Sequence, residues 1–131
     1  MTRLFISHSW SYEERYNSMV SLLNNRQYFD WTNYSVPVAK AFEGMSNVQL
    51  MEQLKSQIRP VNCVVIIGGM WTAYSDWIQF EINFALEIKK PILGVRPRSA
   101  KLIPRAVSDA ATEIVNWNTE SIVAGIRRIK I

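Results

Sequence analysis

Several residue types that define common functional sites are scarce in this chain of 131 residues. The single cysteine, Cys63, excludes a disulfide framework and a cysteine-rich metal cluster, and its apolar surroundings in the sequence predict a buried thiol. The only histidine, His8, has no cysteine or second histidine nearby, so a zinc site has no support. No apolar run is long enough to span a membrane, and the N-terminus lacks a signal-peptide layout. A cytoplasmic protein without membrane contacts is the simplest expectation.

The scarcity of glycine argues against several phosphate-binding folds. Only Gly68-Gly69 follows a strand, and no Lys-Ser/Thr pair comes after it, which excludes a nucleoside-triphosphatase loop. The segment Ser7–Ser11 has no glycine and is a poor flavodoxin phosphate loop. A response-regulator receiver needs acidic residues at these strand ends, and none is present there.

The composition is that of a globular protein with a basic surface. With 48% hydrophobic and 20% charged residues, the chain fits one domain over residues 1–131. The net charge is +4, and much of the excess lies late in the chain, at Arg96, Arg98, Lys101, Arg105, Arg127, Arg128 and Lys130. Such charge can attract a nucleic acid or a diphosphate. Because no nucleic-acid-binding motif accompanies it, a solvated basic surface is predicted, with no nucleic-acid partner.

Apolar patterning predicts alternating strands and helices. The predicted strands are Leu4–Ser7, Tyr28–Thr32, Val61–Ile67, Pro91–Val95 and Glu113–Trp117. The predicted helices are Tyr12–Asn25, Val48–Ile58, Asp76–Lys89 and Thr119–Arg128, the last capped by Asn118 or Thr119. Two loops, Asn33–Asn47 and Arg96–Ala111, complete the chain. This alternation predicts an α/β flavodoxin-like three-layer sandwich, with a five-stranded parallel sheet in the order 2-1-3-4-5.

The predicted helix Asp76–Lys89 carries an unusual acidic residue. At about 100° per residue, Trp77, Phe80, Phe84, Ala85 and Leu86 join three isoleucines in one broad apolar arc, and Glu81 falls near its centre. A carboxylate there must be paired, protonated or open to a cleft, because burying its charge alone is costly. Glu81 could reach water or pair with a structural cation, or it could be a working carboxylate in a cleft.

The topology favours a position for a ligand site. In such sheets, ligands bind beyond the carboxyl ends of the strands, near the switch point between strands 1 and 3. The segment Ser7–Trp10 and the Gly68–Trp77 turn that leads to Glu81 fall at this edge. A carboxylate beside a tryptophan at a polar strand end suits chemistry at a glycosidic bond, because it can stabilise positive charge on an anomeric carbon.

Three segments, "LFISHSW", "FDWTNYSVP" and "SDWIQFEINFAL", resemble the TIR-like family of Thoeris antiphage sensor proteins, which is related to Toll/interleukin-1 receptor domains. The resemblance implies that Glu81 is the catalytic residue for cleaving NAD, which is a substrate rather than a cofactor. It also implies nucleotide contacts from Phe5, Ser7, His8, Ser9, Trp10, Asn33, Ser35 and Trp77. The product would be ADP-ribose or a cyclic isomer that signals to a separate effector protein, and self-association is expected.

A non-catalytic interaction module is the alternative from a different class. TIR-type domains assemble through loops and helix faces, and aromatic residues favour interfaces. The candidates in this chain are Trp10, Tyr34, Trp71 and Tyr74, although each could also line a core or a pocket. The predicted loop Asn33–Asn47, which contains Pro37 and Lys40, is expected to be a mobile lid that closes over the nucleotide.

Overall fold

Five strands and five helices alternate along the part of the chain that the structure describes. The computed structural model describes residues 1–7, 13–35, 47–68, 71–97 and 103–131. The strands are β1 (Thr2–Ile6), β2 (Trp31–Asn33), β3 (Cys63–Ile67), β4 (Ile92–Arg96) and β5 (Glu113–Asn116). The helices are α1 (Glu13–Asn25), α2 (Asn47–Ile58), α3 (Trp71–Glu87), α4 (Arg105–Ala110) and α5 (Thr119–Ile129).

All neighbouring strands are parallel, and the sheet order is β2-β1-β3-β4-β5. The predicted flavodoxin-like α/β fold is therefore confirmed. Because β1 and β3 lie side by side while their following connections run in opposite directions, the switch point lies between them. Ser7 follows β1 and Gly68 follows β3, so both residues lie at the carboxyl edge of this pair.

The sheet forms the centre of the hydrophobic core. Every side chain of β3 is buried, as expected for a central parallel strand covered by helices on both faces. Cys63 is fully buried, and desolvation raises the pKa of its thiol to about 12. The predicted buried thiol is therefore confirmed. Among the described residues, no helix combines the length and apolar character needed to cross a bilayer.

The structure corrects two predicted boundaries and confirms a predicted helix cap. Strand β2 begins at Trp31 rather than at Tyr28, because Tyr28 has a φ of 61° and cannot continue an extended strand. Helix α3 begins at Trp71, five residues before the predicted Asp76, so three residues of the sequence separate it from β3. Asn118 caps α5 as predicted, and its side chain accepts a hydrogen bond from the Ser121 amide.

The prediction of a loop over Arg96–Ala111 was wrong for the second half of this range, which forms α4. This helix has six residues, too few to show a helical period in the sequence. Tertiary packing stabilises it, because Val107 is fully buried in the core. Pro104 precedes the helix, where its missing amide proton is not needed.

Candidate functional site

Glu81 lies on the buried face of α3. Its side chain is 3% exposed, and Ile78, Ile82 and Ala85 of the same helix are buried around it. The prediction that a charge lies amid the apolar face is confirmed. The predicted arc was too broad at one end, since Leu86 is 49% exposed and faces solvent.

The partner of Glu81 is the residue that follows β1. The Ser7 hydroxyl donates a hydrogen bond of 2.7 Å to Oε1 of Glu81, and Ser7 is fully buried. The Ser7 amide donates to the carbonyl oxygen of Val65 at 2.8 Å, which continues the β1–β3 pairing by one residue. The topology thus brings together, across the switch point, two side chains that lie 74 positions apart in the sequence.

The surroundings of Glu81 favour its neutral form. Burial raises the pKa of the carboxyl group to about 8, although the hydrogen bond from Ser7 acts in the opposite direction. None of the ion pairs formed within the described residues includes Glu81. Without a ligand, the carboxyl group is therefore largely protonated at neutral pH, and no described cation neutralises its charge once it ionises.

A second set of polar side chains lies beside Ser7. The Ser35 hydroxyl accepts a hydrogen bond of 2.7 Å from the Ile6 amide, where β2 has ended and offers no backbone acceptor. Asn33 Oδ1 accepts from the Ser35 amide at 2.8 Å, and Asn33 Nδ2 donates to the Tyr16 hydroxyl at 2.8 Å. We call Tyr16, Asn33 and Ser35 the strand-end relay.

The other residues predicted to contact the nucleotide lie in the core, lie on α3 or fall outside the described residues. Phe5 is buried in the core, and Trp77 is half-buried, with its ring edge-to-face against Phe80 at a centroid distance of 6.1 Å. His8, Ser9 and Trp10 lie outside the described residues, as does most of the predicted lid, including Pro37 and Lys40. Of the aromatic residues proposed for an interface, Tyr34 packs against the core.

Gly68 has a packing role at this edge. A Cβ atom added there would lie 2.5 Å from Cγ1 of Ile103, so a larger residue would displace that side chain. This close approach gives a structural reason for glycine at the end of β3. Within the described residues, no cluster of histidine, cysteine, aspartate or glutamate could hold a metal ion.

The sequence did not indicate two features of the site. Ser7 was predicted as a nucleotide contact, and the structure adds a contact that the sequence did not indicate, the hydrogen bond from its hydroxyl to Glu81. The hydrogen bond that the Tyr16 hydroxyl of α1 accepts from Asn33 was not predicted either. The strand-end position of Ser7 was a usable signal, but the contact of Tyr16 depends on the packing of α1 beside β2.

The fold and the site define a flavodoxin-like α/β domain with a buried acidic side chain at the ligand-binding edge of its sheet. The family described as "Thoeris protein ThsB, TIR-like domain" matches residues 5–102, which include both Ser7 and Glu81. This match covers most of the chain, and the chain belongs to this family. No curated protein is significantly similar to it in sequence.

Two solved structures are similar to this chain at low sequence identity. The CMP N-glycosidase BcmB of Clostridium botulinum superposes with a TM-score of 0.59 and 16% identity, over 96% of this chain and 98% of that chain. A 3-dehydroquinate dehydratase-like protein from Bifidobacterium longum has a TM-score of 0.48 and 12% identity, over 98% and 95% of the two chains. At these identities, the first likeness supports the fold assignment, and the second carries no argument.

Proposed function

We propose that this protein cleaves the bond between nicotinamide and ribose in NAD, with Glu81 as the catalytic residue. The observation that carries the proposal is a buried carboxyl group with no cationic partner among the described residues, at the switch point of a TIR-like domain. If Glu81 belonged to a structural ion pair, a protein cation would lie beside its carboxyl group. A carboxyl group that acts on a cationic substrate needs the position beside it to be free for that substrate.

In this proposal, NAD binds across the carboxyl edge of the sheet, with its nicotinamide ribose near Glu81. The bond between the anomeric carbon and the ring nitrogen breaks, and its electron pair leaves with nicotinamide. The ribosyl group becomes oxocarbenium-like, and the ionised Glu81 carboxylate stabilises that positive charge. Water then adds to the anomeric carbon and loses a proton to give ADP-ribose, or the adenine of the same molecule attacks and closes a cyclic isomer.

The raised pKa of Glu81 is compatible with this role. The nicotinamide ring of NAD carries a positive charge, and a positive charge close to a carboxyl group favours its ionised form. Binding of the substrate would therefore promote loss of the proton that burial retains in the free protein. In a site shielded from water, the resulting carboxylate acts strongly on charge that develops nearby.

Family membership and a structural relative support the class of reaction. The family name places related proteins in Thoeris systems, where the product would act as a signal to a separate effector. BcmB is described as a CMP N-glycosidase, and this name refers to cleavage of the N-glycosidic bond of a nucleotide, CMP. Cleavage of a nucleotide N-glycosidic bond is the chemistry common to that name and to this proposal.

The test compares nicotinamide release from NAD by the unaltered protein, Glu81→Gln and Glu87→Gln. Glu87 makes a matched control because it lies on the same helix but is exposed. We expect Glu81→Gln to lose about 100-fold or more in rate, as for loss of a group that stabilises transition-state charge, and Glu87→Gln to keep its rate. Equal release by all three proteins would remove Glu81 from the catalytic role.

Two further arms separate the proposal from its rivals. Each protein is also assayed in extracts of phage-infected and uninfected cells, because such sensors are expected to respond to a trigger. CMP is supplied in parallel with NAD, and chromatography distinguishes ADP-ribose, cyclic products and free bases. Full defence by Glu81→Gln in cells, together with unchanged self-association, would instead support the non-catalytic interaction module.

A further inference from the structure

The contact between Ser7 and Glu81 has a feature that a nucleotide-binding serine would not need. The Ser7 hydroxyl donates to Glu81 at 2.7 Å, and its side chain is fully buried. A hydroxyl group has one proton to donate, and in this arrangement it is given to the carboxyl oxygen. The proton of the Ser7 hydroxyl is thereby committed to Glu81 and is not available to a ligand phosphate.

The strand end that carries Ser7 is fixed on both sides. On one side, the Ser7 amide donates to Val65 of β3. On the other side, the preceding amide, that of Ile6, donates to the Ser35 hydroxyl, because β2 no longer supplies a backbone acceptor. A buried amide without an acceptor is costly, so the Ser35 hydroxyl takes the place of the missing strand.

Ser35 is held in turn by the two other members of the strand-end relay. Its amide donates to Asn33, and the amide group of Asn33 donates to the Tyr16 hydroxyl of α1. Asn33 is exposed but forms hydrogen bonds with both ends of its side-chain amide, and Ser35 uses both its backbone amide and its hydroxyl. These contacts connect α1, β2 and β1, and they reach β1 at Ile6, the residue before Ser7.

We propose that Ser7 is a positioning residue that orients the Glu81 carboxyl group, and that Ser35, held through Asn33 and Tyr16, fixes the strand end from which Ser7 reaches it. This inference rests on the proposed function of Glu81 but assigns different roles to three of the predicted nucleotide contacts. Ser7, Asn33 and Ser35 act on the site through its geometry. Direct contacts with the substrate then come from other residues.

The first experiment measures the ionisation of Glu81 without any substrate. The carboxyl ¹³C resonance of Glu81, assigned through its loss in Glu81→Gln, is titrated in the unaltered protein, Ser7→Ala and Ser18→Ala. Ser18 is an exposed serine of α1, so Ser18→Ala is a matched control for the loss of a hydroxyl group. We expect the midpoint to move upward by roughly one pH unit in Ser7→Ala, because a hydrogen bond to the charged form is lost, and to stay unchanged in Ser18→Ala.

The same titration tests the strand-end relay. Ser35→Ala removes the acceptor of the Ile6 amide, so it should raise the Glu81 midpoint by less than Ser7→Ala does. Ser35→Thr keeps a hydroxyl group and should have the midpoint of the unaltered protein. Circular dichroism at each pH confirms that the variants are folded. If Ser35→Ala unfolds, Tyr16→Phe provides the milder test, because it removes only the hydroxyl that binds Asn33.

The second experiment measures kcat/KM for NAD cleavage as a function of pH. The midpoint in this profile should move upward in Ser7→Ala as it does in the titration, with roughly a 10- to 100-fold loss at neutral pH. A folded Ser7→Ala protein with an unchanged Glu81 midpoint would overturn the role of Ser7, and an unchanged midpoint in folded Ser35→Ala would overturn that of the relay. A shifted titration without NAD cleavage by any of the proteins, in extracts of phage-infected cells as well as with purified protein, would instead refute the proposed function and leave the positioning roles supported.

Discussion

Two glutamates in this domain have opposite electrostatic surroundings. Glu113, the first residue of β5, accepts three hydrogen bonds from the Arg128 guanidinium group, at 2.9 Å to Oε1 and at 3.1 and 2.7 Å to Oε2. Arg128 lowers the pKa of Glu113 through these hydrogen bonds, whereas burial raises the pKa of Glu81 to about 8. The protein supplies a cation where the carboxylate connects β5 to α5. At the switch point, the described residues supply the Ser7 hydroxyl to Glu81 and no cation.

The largest expected effect on stability concerns Glu81. In the unfolded chain its carboxyl group ionises near pH 4.5, whereas in the folded protein it keeps its proton up to about pH 8. The folded state therefore binds more protons in this window, and the free energy of unfolding should fall as the pH rises through it. Each unit of difference in pKa corresponds to about 1.4 kcal/mol, so the total decline is a few kcal/mol.

Urea unfolding of the unaltered protein and Glu81→Gln at a series of pH values measures this decline. Glutamine cannot ionise, so the variant should lack the decline and become the more stable of the two proteins above pH 8. Parallel pH curves for the two proteins would show that Glu81 ionises normally in the folded state. The contrast with Glu113 would then disappear.

The next effect tests the packing at the site end of the sheet. Gly68→Ala places a Cβ atom 2.5 Å from the Ile103 side chain, and overpacking of this kind costs about 1–3 kcal/mol. Ile103→Ala opens space at the same point, so the double variant should lose less stability than the sum of the two single variants. Additive losses in chemical denaturation would mean that the strain at Gly68 has another origin.

A smaller effect is expected on the side of Glu113. Alanine is favoured over glycine within a helix by about 1 kcal/mol. At Gly125, however, the added Cβ would lie 2.9 Å from Leu93 Cδ1 and 3.1 Å from Glu113 Oε2. Because the end of a leucine side chain can move, we expect Gly125→Ala to lose about 1 kcal/mol or less, below the loss at Gly68.

Thermal unfolding measures the loss of stability in Gly125→Ala. Gly94→Ala is the control, because it also adds a Cβ atom at a glycine but without a close approach. A Cβ atom at Gly94 would meet its neighbours only at 3.4 Å, an ordinary contact distance. Clear stabilisation by Gly125→Ala would show that the contact between α5 and Glu113 is looser than the distances indicate.

The smallest effect should come from Glu113→Gln, because exposed ion pairs contribute little. The lowered pKa of Glu113 implies a stabilising contribution that is present above pH 4.5 and is lost as the pH falls below it. The stability difference between this variant and the unaltered protein should therefore shrink in acid and at high salt. A difference that grows with pH above neutrality would contradict the assignment of the ion pair.

The sequence was most informative where one periodicity extends over a long element. The apolar period of α3 predicted that Glu81 lies on the buried face, and the continuous β-branched run at Val64–Ile67 predicted a central strand. It was least informative where an element is too short for a period. Helix α4 belongs to this group, because its single fully buried residue, Val107, could not be distinguished from an apolar loop residue.

The sequence by itself determined the alternation of strands and helices, the parallel sheet and the presence of a carboxyl group on an apolar helix face. These properties depend on local propensity and on hydrophobic periodicity, which neighbouring residues in the chain set together. Only the tertiary structure decided that Ser7 is the partner of Glu81, that Ser35 binds the amide of the residue before Ser7, and that the Tyr16 hydroxyl binds Asn33. Such contacts join residues far apart in the chain, and hydrogen bonds of about 3 Å depend on strand register and helix packing, which no local pattern specifies.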